Sequence, residues 1–266
     1  MAGRGRPSKK VIAQTQEAST IIKSDETGAT NINAIDLLKD PVIVTDDLTE
    51  EQKEQALNAF DNIETNSVYI KHIQHGSKPS EEQYALIEQK YQYACATPSD
   101  INELLPYLRA ASDVCAHITE FGVRSPTSTW AFLAGNPERL ISYDIVRDTG
   151  IDEVESIAPN FTFILGNTLE VEIEETDFLF IDTFHTAEQL SQELALHAHK
   201  VRKYIGMHDV FTFGEIGEAE YSSGLQYGNK PGLRYAIEPF LQVNQDWTVD
   251  FHTTVNNGLL ILRRLK

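Results

Sequence analysis

The stretch DFLFIDTFHT at residues 177–186 contains the pattern that decides the fold. Its apolar run, Phe178–Ile181, is followed at once by Asp182, and His185 comes three residues later. A run of this length between polar residues predicts a strand buried on both faces, as in a parallel sheet. Ligands of open α/β sheets bind outside the carboxyl ends of the strands. Asp182 and His185 are therefore candidate site residues.

Similar apolar segments alternate with helical patterns from residue 112 onward. Further strands are predicted near residues 114–120, 140–145, 161–165 and 204–207. Helices are predicted near residues 128–134, 151–157, 186–200 and 233–242. This alternation indicates βαβ units and a parallel sheet, whereas two last strands, near 247–254 and 259–265, flank the hairpin signal Asn257-Gly258. We therefore predict an α/β fold with a doubly wound, mostly parallel, Rossmann-like sheet of seven strands that ends in an antiparallel hairpin.

The chain before residue 112 is organised differently. Residues 1–35 are dominated by Ser, Thr, Gln, Asn and Gly after a basic start, and this composition predicts a disordered basic tail. Residues 36–111 carry helix signals, including a capping box at Ser80–Gln83 and a helix start at Thr97–Asp100. We expect this region to form a helical cap on the α/β domain, which spans residues 112–266.

The composition places limits on partners and location. Asp and Glu total 40 against 22 Lys and Arg, so the net charge is -18, and a body this acidic repels nucleic acid backbones and anionic lipid. No apolar run approaches the roughly 20 residues of a membrane span, and the N-terminus lacks the apolar segment of a signal peptide. Two cysteines form neither a disulfide framework nor a zinc site. We expect a cytoplasmic protein of a bacterium or a phage-infected host, without membrane contact; a homo-oligomer stays open.

The basic start of the tail opposes this acidic trend. Residues 3–10, GRGRPSKK, contain Arg4, Arg6, Lys9 and Lys10 and no acidic residue. Their Arg-Gly-Arg-Pro core resembles an AT-hook, which inserts arginines into the narrow minor groove of A·T-rich DNA. Four charges imply a weak, salt-sensitive DNA contact through Arg4 and Arg6. A solubilising tail is the other interpretation.

The ends of the first two strands carry groups that suit a nucleoside ligand. Gly122 follows the first strand and lets the backbone approach a ligand closely. Ser125, Thr127 or Ser128 is expected to cap the next helix, whose first N–H groups would face a ligand carboxylate. Asp144 ends the second strand, where a carboxylate can accept both ribose hydroxyls. The alternative is a pair of ordinary turns without a ligand.

The fifth strand ends in His208-Asp209, next to the strand that ends in Asp182. Adjacent strands would bring both pairs together, with Asp182, His208 and Asp209 in one ligand shell and His185 at its edge. Two carboxylates and two imidazoles form either a divalent-cation site or an acid–base pair. Since neighbouring carboxylates repel one another, we expect a cation or a protonated histidine to accompany them.

Together these segments resemble the class I S-adenosylmethionine (SAM)-dependent methyltransferases over about residues 98–264. The chain looks like a bacterial and phage branch similar to the cephalosporin-hydroxylase-like and macrolide-sugar O-methyltransferase proteins, and more distantly similar to catechol O-methyltransferases. Glu120 and Gly122 match the acidic-x-Gly start of the SAM-binding loop. Pro126 departs from the pattern, because many relatives have a second glycine there. The resemblance also implies a contact between Asn167 and the adenine.

The metal-dependent relatives hold a magnesium ion through the fourth-strand aspartate and an acidic pair after the fifth strand. By position Asp182 and Asp209 match, and His208 takes the first place of the pair. The resemblance thus implies that Asp182, His208 and Asp209 bind Mg²⁺ or another divalent cation. Because magnesium prefers oxygen ligands, His185 and His208 are also candidates for a catalytic base.

The activity implied is SAM-dependent methylation of a hydroxyl on a small acceptor such as a sugar. The candidate cofactor-binding residues are Glu120, Gly122, Ser128, Asp144, Asn167 and Asp182. The candidate catalytic residues are Asp182, His185 and His208. Residues 211–232, rich in Gly, Ser and Glu, form either a lid over the acceptor or a surface loop. Two other functions stay open: a metal-dependent, hydroxylase-like enzyme on the same scaffold, and a non-catalytic binding domain tethered to DNA.

Overall fold

The computed structural model describes residues 76–220 and 223–265. In chain order the strands are β1 (His117–Phe121), β2 (Arg139–Asp144), β3 (Phe161–Leu165), β4 (Thr176–Ile181), β5 (Val201–His208), β6 (Ile216–Glu218), β7 (Tyr227–Pro231), β8 (Trp247–Thr253) and β9 (Leu259–Arg264). The helices are α1 (Glu81–Ala96), α2 (Leu105–Ser112), α3 (Thr127–Ala134), α4 (Gly150–Ile157), α5 (Ala187–His197) and α6 (Arg234–Val243). A 3-10 turn at Ala198–Lys200 connects α5 to β5.

Seven of these strands form one sheet in the order β3-β2-β1-β4-β5-β9-β8. All neighbours from β3 to β5 are parallel, and β9 runs antiparallel to both β5 and β8. The predicted mostly parallel sheet with its C-terminal antiparallel hairpin is confirmed. The first strand begins at His117 rather than near residue 114, because the preceding Ala116 N–H donates to the Asp177 carboxylate at 2.8 Å instead of to a neighbouring strand.

Strand β4 shows how the sheet divides the core. Alternate side chains of a strand point to opposite faces, so Phe178 and Phe180 join one hydrophobic cluster and Leu179 and Ile181 join the other. Helices α1 to α4 contribute to the first cluster, and α5 and α6 contribute to the second. Helices on both faces of a parallel sheet leave its carboxyl edge as the place where a ligand can bind.

The region predicted as a helical cap enters the described residues as α1 and α2. The expected capping box is present at the start of α1, where the Gln83 N–H donates to Ser80 Oγ and the Ser80 N–H donates to the Gln83 side chain. The helix start expected at Thr97–Asp100 is wrong, since α2 begins at Leu105. Between the two helices, the Asn102 side chain accepts from the Ser99 N–H, and such a local bond favours a turn over a helix. Both helices share the first core cluster with the sheet.

Residues 211–232, expected as a lid or a loop, contain the antiparallel hairpin of β6 and β7. The hairpin lies against the segment that follows β4, because the Glu218 N–H donates to the His185 carbonyl oxygen at 2.9 Å. A Cβ on Gly217 would lie 3.0 Å from the same oxygen. The hairpin therefore reaches the carboxyl edge of the sheet, where β4 ends.

The described helices were compared with the length and apolar character that a membrane span needs. None of the helices within residues 76–220 and 223–265 combines the length and the apolar character of a membrane span. The basic tail, its A·T-rich DNA contact through Arg4 and Arg6, and the first part of the cap region lie outside the described residues.

The tightest junction at the carboxyl edge is between the ends of β1 and β4. Gly122 has φ +79, a left-handed conformation that side chains disfavour. Its N–H donates to the Tyr143 carbonyl oxygen at 2.9 Å, and the Asp182 N–H donates to the Phe121 carbonyl oxygen at 2.8 Å. A Cβ on Gly122 would lie 2.0 Å from the Asp182 carbonyl oxygen. Only glycine fits this position, for reasons of both conformation and space.

We expect Gly122→Ala to destabilise the protein far more than Gly224→Ala. Gly224 also has a positive φ, +65, but a Cβ there meets no atom within 4 Å. The control therefore has only the conformational cost of about 1 kcal/mol, whereas Gly122→Ala must also push the β1 and β4 ends apart. Thermal unfolding of both variants measures the difference, and equal shifts in Tm would contradict the role assigned to this junction.

Candidate functional site

The strand order reverses between β1 and β4, and ligands of open α/β sheets bind outside the carboxyl ends of the strands at such a point. We call this place the crevice. The predicted site residues lie at or after the carboxyl ends of β1 to β5. The β1, β2 and β3 ends carry the candidate nucleoside-binding groups, and the β4 and β5 ends carry the acidic and imidazole groups.

Glu120, at the end of β1, is completely buried. Its carboxylate accepts hydrogen bonds from the hydroxyls of Ser128 at 2.6 Å, Thr129 at 2.9 Å and Ser142 at 2.5 Å. Burial raises the pKa of Glu120 to about 7, and the three hydroxyls partly offset this rise. The carboxylate thus joins β1, β2 and α3 from inside the domain, and a direct contact of Glu120 or Ser128 with the cofactor stays a prediction.

The start of α3 differs from the expected cap. Pro126 occupies the N-cap position, and no side chain makes a capping hydrogen bond there. The expectation that Ser125, Thr127 or Ser128 caps this helix is wrong, because the Ser128 hydroxyl turns inward to Glu120. The Pro126 ring packs beside Gly150, where a Cβ would lie 2.8 Å from Pro126 Cδ. The first turn of α3 therefore has no side-chain cap to compete with a ligand carboxylate.

Asp144, at the end of β2, holds the loop that follows β1. Its Oδ2 accepts from the N–H groups of Val123 at 2.7 Å and Arg124 at 2.9 Å, and its Oδ1 accepts from Val146 at 2.9 Å. Arg124 has φ +46, so this carboxylate stabilises a loop conformation that is otherwise disfavoured. Asp144 thus lies at the carboxyl edge of the sheet, and its contact with a ribose stays a prediction.

Exposed apolar side chains surround Asp144, a feature that was not anticipated from the sequence. Ile145, Val146 and Leu165 are 72%, 64% and 63% exposed, and Leu165 is the register partner of Asp144 across β2 and β3. We call these three residues the edge patch. Valine, leucine and isoleucine at a strand end are usually taken as core residues. The sequence alone therefore did not indicate that these three side chains are exposed.

Asn167, the third predicted contact, is part of its own turn. Its Oδ1 accepts from the Leu169 N–H at 3.0 Å, and its Nδ2 donates to Glu170 at 3.1 Å. This is the local bonding by which asparagine stabilises turns. The contact between Asn167 and an adenine stays a prediction.

On the other side of the crevice, Asp182, His185, His208 and Asp209 lie together. Asp182 Oδ1 is 3.1 Å from His185 Nε2 and 3.3 Å from His208 Nδ1. Asp209 Oδ2 is 3.1 Å from His185 Nε2 and 3.8 Å from His208 Nδ1. His185 is therefore central and not at the edge, because the chain turns after β4 and places its imidazole between the two carboxylates.

His208 lies behind this group and is only 2% exposed. Its Nε2 donates to the Asn256 carbonyl oxygen at 2.9 Å, since a carbonyl only accepts. Its other ring nitrogen faces Asp182. His208 thus supports Asp182 from inside, and its roles as a base and as a cation ligand stay predictions.

Two residues of the 211–232 segment complete the surroundings of His185. Glu218 Oε2 lies 2.9 Å from His185 Nδ1, and the Phe213 ring stacks on the imidazole with centroids 5.0 Å apart at 7°. Neither residue was identified from the sequence. The acidic content of this segment was a signal, but nothing in it indicates which acid reaches His185.

Charge compensation decides the protonation of this cluster. Burial alone would lower the pKa of both imidazoles, but the carboxylates outweigh it and raise the pKa of His185 to about 10 and of His208 to about 9. Burial opposes ionisation of Asp182, yet the His208 and His185 imidazoles hold its pKa well below the usual range. The expectation of a protonated histidine beside the carboxylates agrees with these shifts.

Comparisons with known proteins support the fold. No protein-family model matches the sequence, and no match was found among curated proteins. An O-methyltransferase from Bacillus cereus, solved in complex with S-adenosylhomocysteine, superposes with TM-score 0.51 at 15% identity, over 70% of this chain and 92% of that one. The chain has the fold of the class I SAM-dependent methyltransferases. The N-methyltransferase NodS from Bradyrhizobium japonicum, with the same ligand, reaches TM-score 0.48 at 11% identity over 70% and 100% of the two chains.

A set of atoms that could hold a cation lies beside the crevice. One atom each of Asp182, His185 and Asp209 lie within 4.8 Å of one another. The buried Oδ1 of Asp209 has no partner in hydrogen-bond geometry among the described residues. Burial raises the pKa of the Asp209 carboxyl, and the neighbouring imidazoles and Asn257 partly offset this rise. An orphaned carboxylate oxygen and an imidazole nitrogen are suitable cation donors, so the residues fit such a group. His185 joins Asp182 and Asp209 in this set, and the role expected for His208 as a cation ligand stays a prediction.

We expect Glu120→Gln to become more stabilising, relative to the wild type, as the pH rises. The pKa of Glu120 is raised in the folded protein, so the wild type loses stability between about pH 4.5, where the unfolded side chain ionises, and pH 7. The neutral variant escapes a cost of about 3 kcal/mol. Denaturant unfolding at pH 4.5 and pH 8 measures this, with the exposed Glu138→Gln as the control. A difference that does not change with pH would contradict the assignment.

Proposed function

We propose that the protein is a SAM-dependent methyltransferase that methylates a hydroxyl of a small acceptor such as a sugar. One observation carries the proposal: one possible ligand atom each of Asp182, His185 and Asp209 lies within 4.8 Å of the others, beside the crevice of a methyltransferase fold. The SAM sulfonium is already activated for transfer. The protein therefore has to align the acceptor hydroxyl with the methyl group and remove the hydroxyl proton.

The cofactor half of the proposal rests on Asp144 and its surroundings. A carboxylate offers about four acceptor positions, and Asp144 uses three of them for the loop N–H groups. One ribose hydroxyl can therefore bond directly, and a second requires the loop to shift. The edge patch beside Asp144 suits an apolar, planar group such as adenine, because covering exposed Ile145 and Leu165 is favourable.

The cofactor carboxylate has a place on the same side of the crevice. The first N–H groups of α3 are without a side-chain cap and carry the positive end of the helix dipole. Gly122 keeps the backbone at the end of β1 free of a side chain, so SAM can lie across the β1 and β4 ends. These features support a bound SAM that extends from α3 to the edge patch.

The acceptor half rests on the carboxylates and His185. At neutral pH the raised pKa of His185 means that Nε2 carries a proton, and this proton must leave before the nitrogen can act as a base. A divalent cation held by Asp182, His185 and Asp209 would lower the pKa of the acceptor hydroxyl and orient it. His208, bonded to Asn256, keeps Asp182 ionised and in place.

The donor set indicates which cation is expected. Magnesium prefers oxygen ligands throughout, whereas an imidazole with two carboxylates suits manganese, zinc or iron. We therefore propose a first-row transition ion in place of magnesium. Because it must displace the His185 proton, its affinity should rise with pH.

We expect SAM to bind, and Asp144→Ala to weaken binding at least tenfold. The variant loses a charge-assisted hydrogen bond to the ribose, a loss of about 1.5–3 kcal/mol. Isothermal titration of SAM measures both affinities. The control is Asp152→Ala, which removes an exposed carboxylate of α4.

Asp144→Asn retains one oxygen for the loop N–H groups and separates loop damage from ribose binding. Unchanged SAM affinity in both variants of Asp144 would remove the ribose assignment. A wild-type protein that does not bind SAM would overturn the proposed function itself.

We expect Asp182→Asn to abolish turnover while SAM affinity stays within a few-fold. The variant removes the carboxylate charge that both imidazoles face, and the hydrogen bonds of the Asp182 side chain go to His185 and His208 and not to the groups proposed to bind SAM. Release of S-adenosylhomocysteine, with a panel of simple sugars as acceptors, measures turnover. Glu188→Gln, at an exposed position of α5, is the control. Turnover close to wild type in Asp182→Asn would contradict a role for the acidic–imidazole cluster.

A further inference from the structure

The Glu218 carboxylate contacts the His185 imidazole from the side opposite to Asp182 and Asp209. His185 Nδ1 lies 2.9 Å from Glu218 Oε2, while His185 Nε2 lies 3.1 Å from Asp182 Oδ1 and 3.1 Å from Asp209 Oδ2. The two ring nitrogens therefore have different partners. The ring itself stacks on Phe213, so it cannot rotate freely between them.

The protonation of the two nitrogens follows from these partners. Glu218 Oε2 lies at hydrogen-bond distance from His185 Nδ1, and a carboxylate oxygen accepts from an imidazole N–H. Nδ1 carries a proton whether His185 is charged or neutral, and in the neutral ring the lone pair is on Nε2. That nitrogen faces Asp182 and Asp209.

The hairpin is attached to this segment independently of the Glu218 side chain. The Glu218 N–H donates to the His185 carbonyl oxygen at 2.9 Å. Gly217 lies so close that a Cβ would be 3.0 Å from that oxygen and 3.1 Å from the Pro231 carbonyl oxygen. A substitution at position 218 therefore removes the carboxylate and leaves the main-chain contact of β6 intact.

The two neighbouring glutamates of this segment, Glu215 and Glu220, do not contact His185 through the hydrogen bonds that they make. Glu215 accepts hydrogen bonds from Arg234 and from the Tyr235 hydroxyl. Glu220 is exposed, and its carbonyl oxygen accepts from Ser223. Within the described residues of 211–232, Glu218 is thus the carboxylate that contacts His185, and Glu220 is a matched control two residues away.

We infer that Glu218 is a positioning residue that fixes His185 in its Nδ1–H form, so that Nε2 completes a divalent-cation site with Asp182 and Asp209. This inference deepens the proposed function and rests on its cation site. Histidines that bind metals are commonly oriented by a carboxylate on the other ring nitrogen, and loss of that carboxylate weakens metal binding about 10–100-fold. Here the orienting carboxylate comes from a separate hairpin, so the geometry of the site depends on β6.

Titration of the full chain with Mn²⁺ tests this inference. We expect Glu218→Ala to raise the Kd for Mn²⁺ about 10–100-fold. Glu218→Gln should bind with intermediate affinity, because its amide oxygen still accepts from Nδ1 but carries no charge. Glu220→Ala, which removes the same charge from the same hairpin, should bind like the wild type. SAM affinity should stay within a few-fold in all three variants.

A nitrogen-15 spectrum of the zinc-loaded protein provides a second readout. The wild type and Glu218→Gln should show His185 bound to zinc through Nε2 with a proton on Nδ1. Zinc binding through Nδ1, or Mn²⁺ affinity of Glu218→Ala equal to that of the wild type, would overturn the inference. A wild type that binds neither ion would also overturn it, whereas the proposed methyltransferase function is decided separately by SAM binding.

Discussion

The close approach of two main-chain segments at the centre of the sheet is the constraint on which the rest of the structure depends. The β1 and β4 ends meet where the strand order reverses, and the Asp182 carbonyl oxygen occupies the space that a side chain at position 122 would need. This contact directs the chain after β1 towards Asp144 and the chain after β4 towards β5. Both halves of the candidate site therefore begin at one junction.

Buried charge is managed differently on the two sides of that junction. Beneath the loop that follows β1, burial raises the pKa of Glu120 to about 7, and the three hydroxyls that donate to its carboxylate partly offset this rise. Around His185, three carboxylates are compensated by imidazoles, which keep Asp182 ionised. The first arrangement is suited to holding elements together. The second keeps a charged group at the crevice, as a site for a cation or a proton transfer requires.

Several site residues could be predicted because strand patterns are local and their ends fall at one edge. Asp144, Asp182 and Asp209 lie at or directly after the ends of β2, β4 and β5, as expected from their positions after apolar runs. The central place of His185 could not be predicted, since it depends on the turn after β4. The same holds for Glu218, 33 residues further along the chain, which reaches His185 only through the β6–β7 hairpin.

By itself the sequence determined which segments become strands, how they alternate with helices and which side chains follow the strand ends. Those properties depend on hydrophobic periodicity over a few residues. Only the tertiary structure decided which polar atoms meet: Ser128 and Ser142 at Glu120, or Glu218 at His185. Such contacts join segments that are distant in the chain, and their geometry is set by how the sheet, helices and hairpin pack together. A hydroxyl or a carboxylate in the sequence has many possible partners, and packing selects one of them.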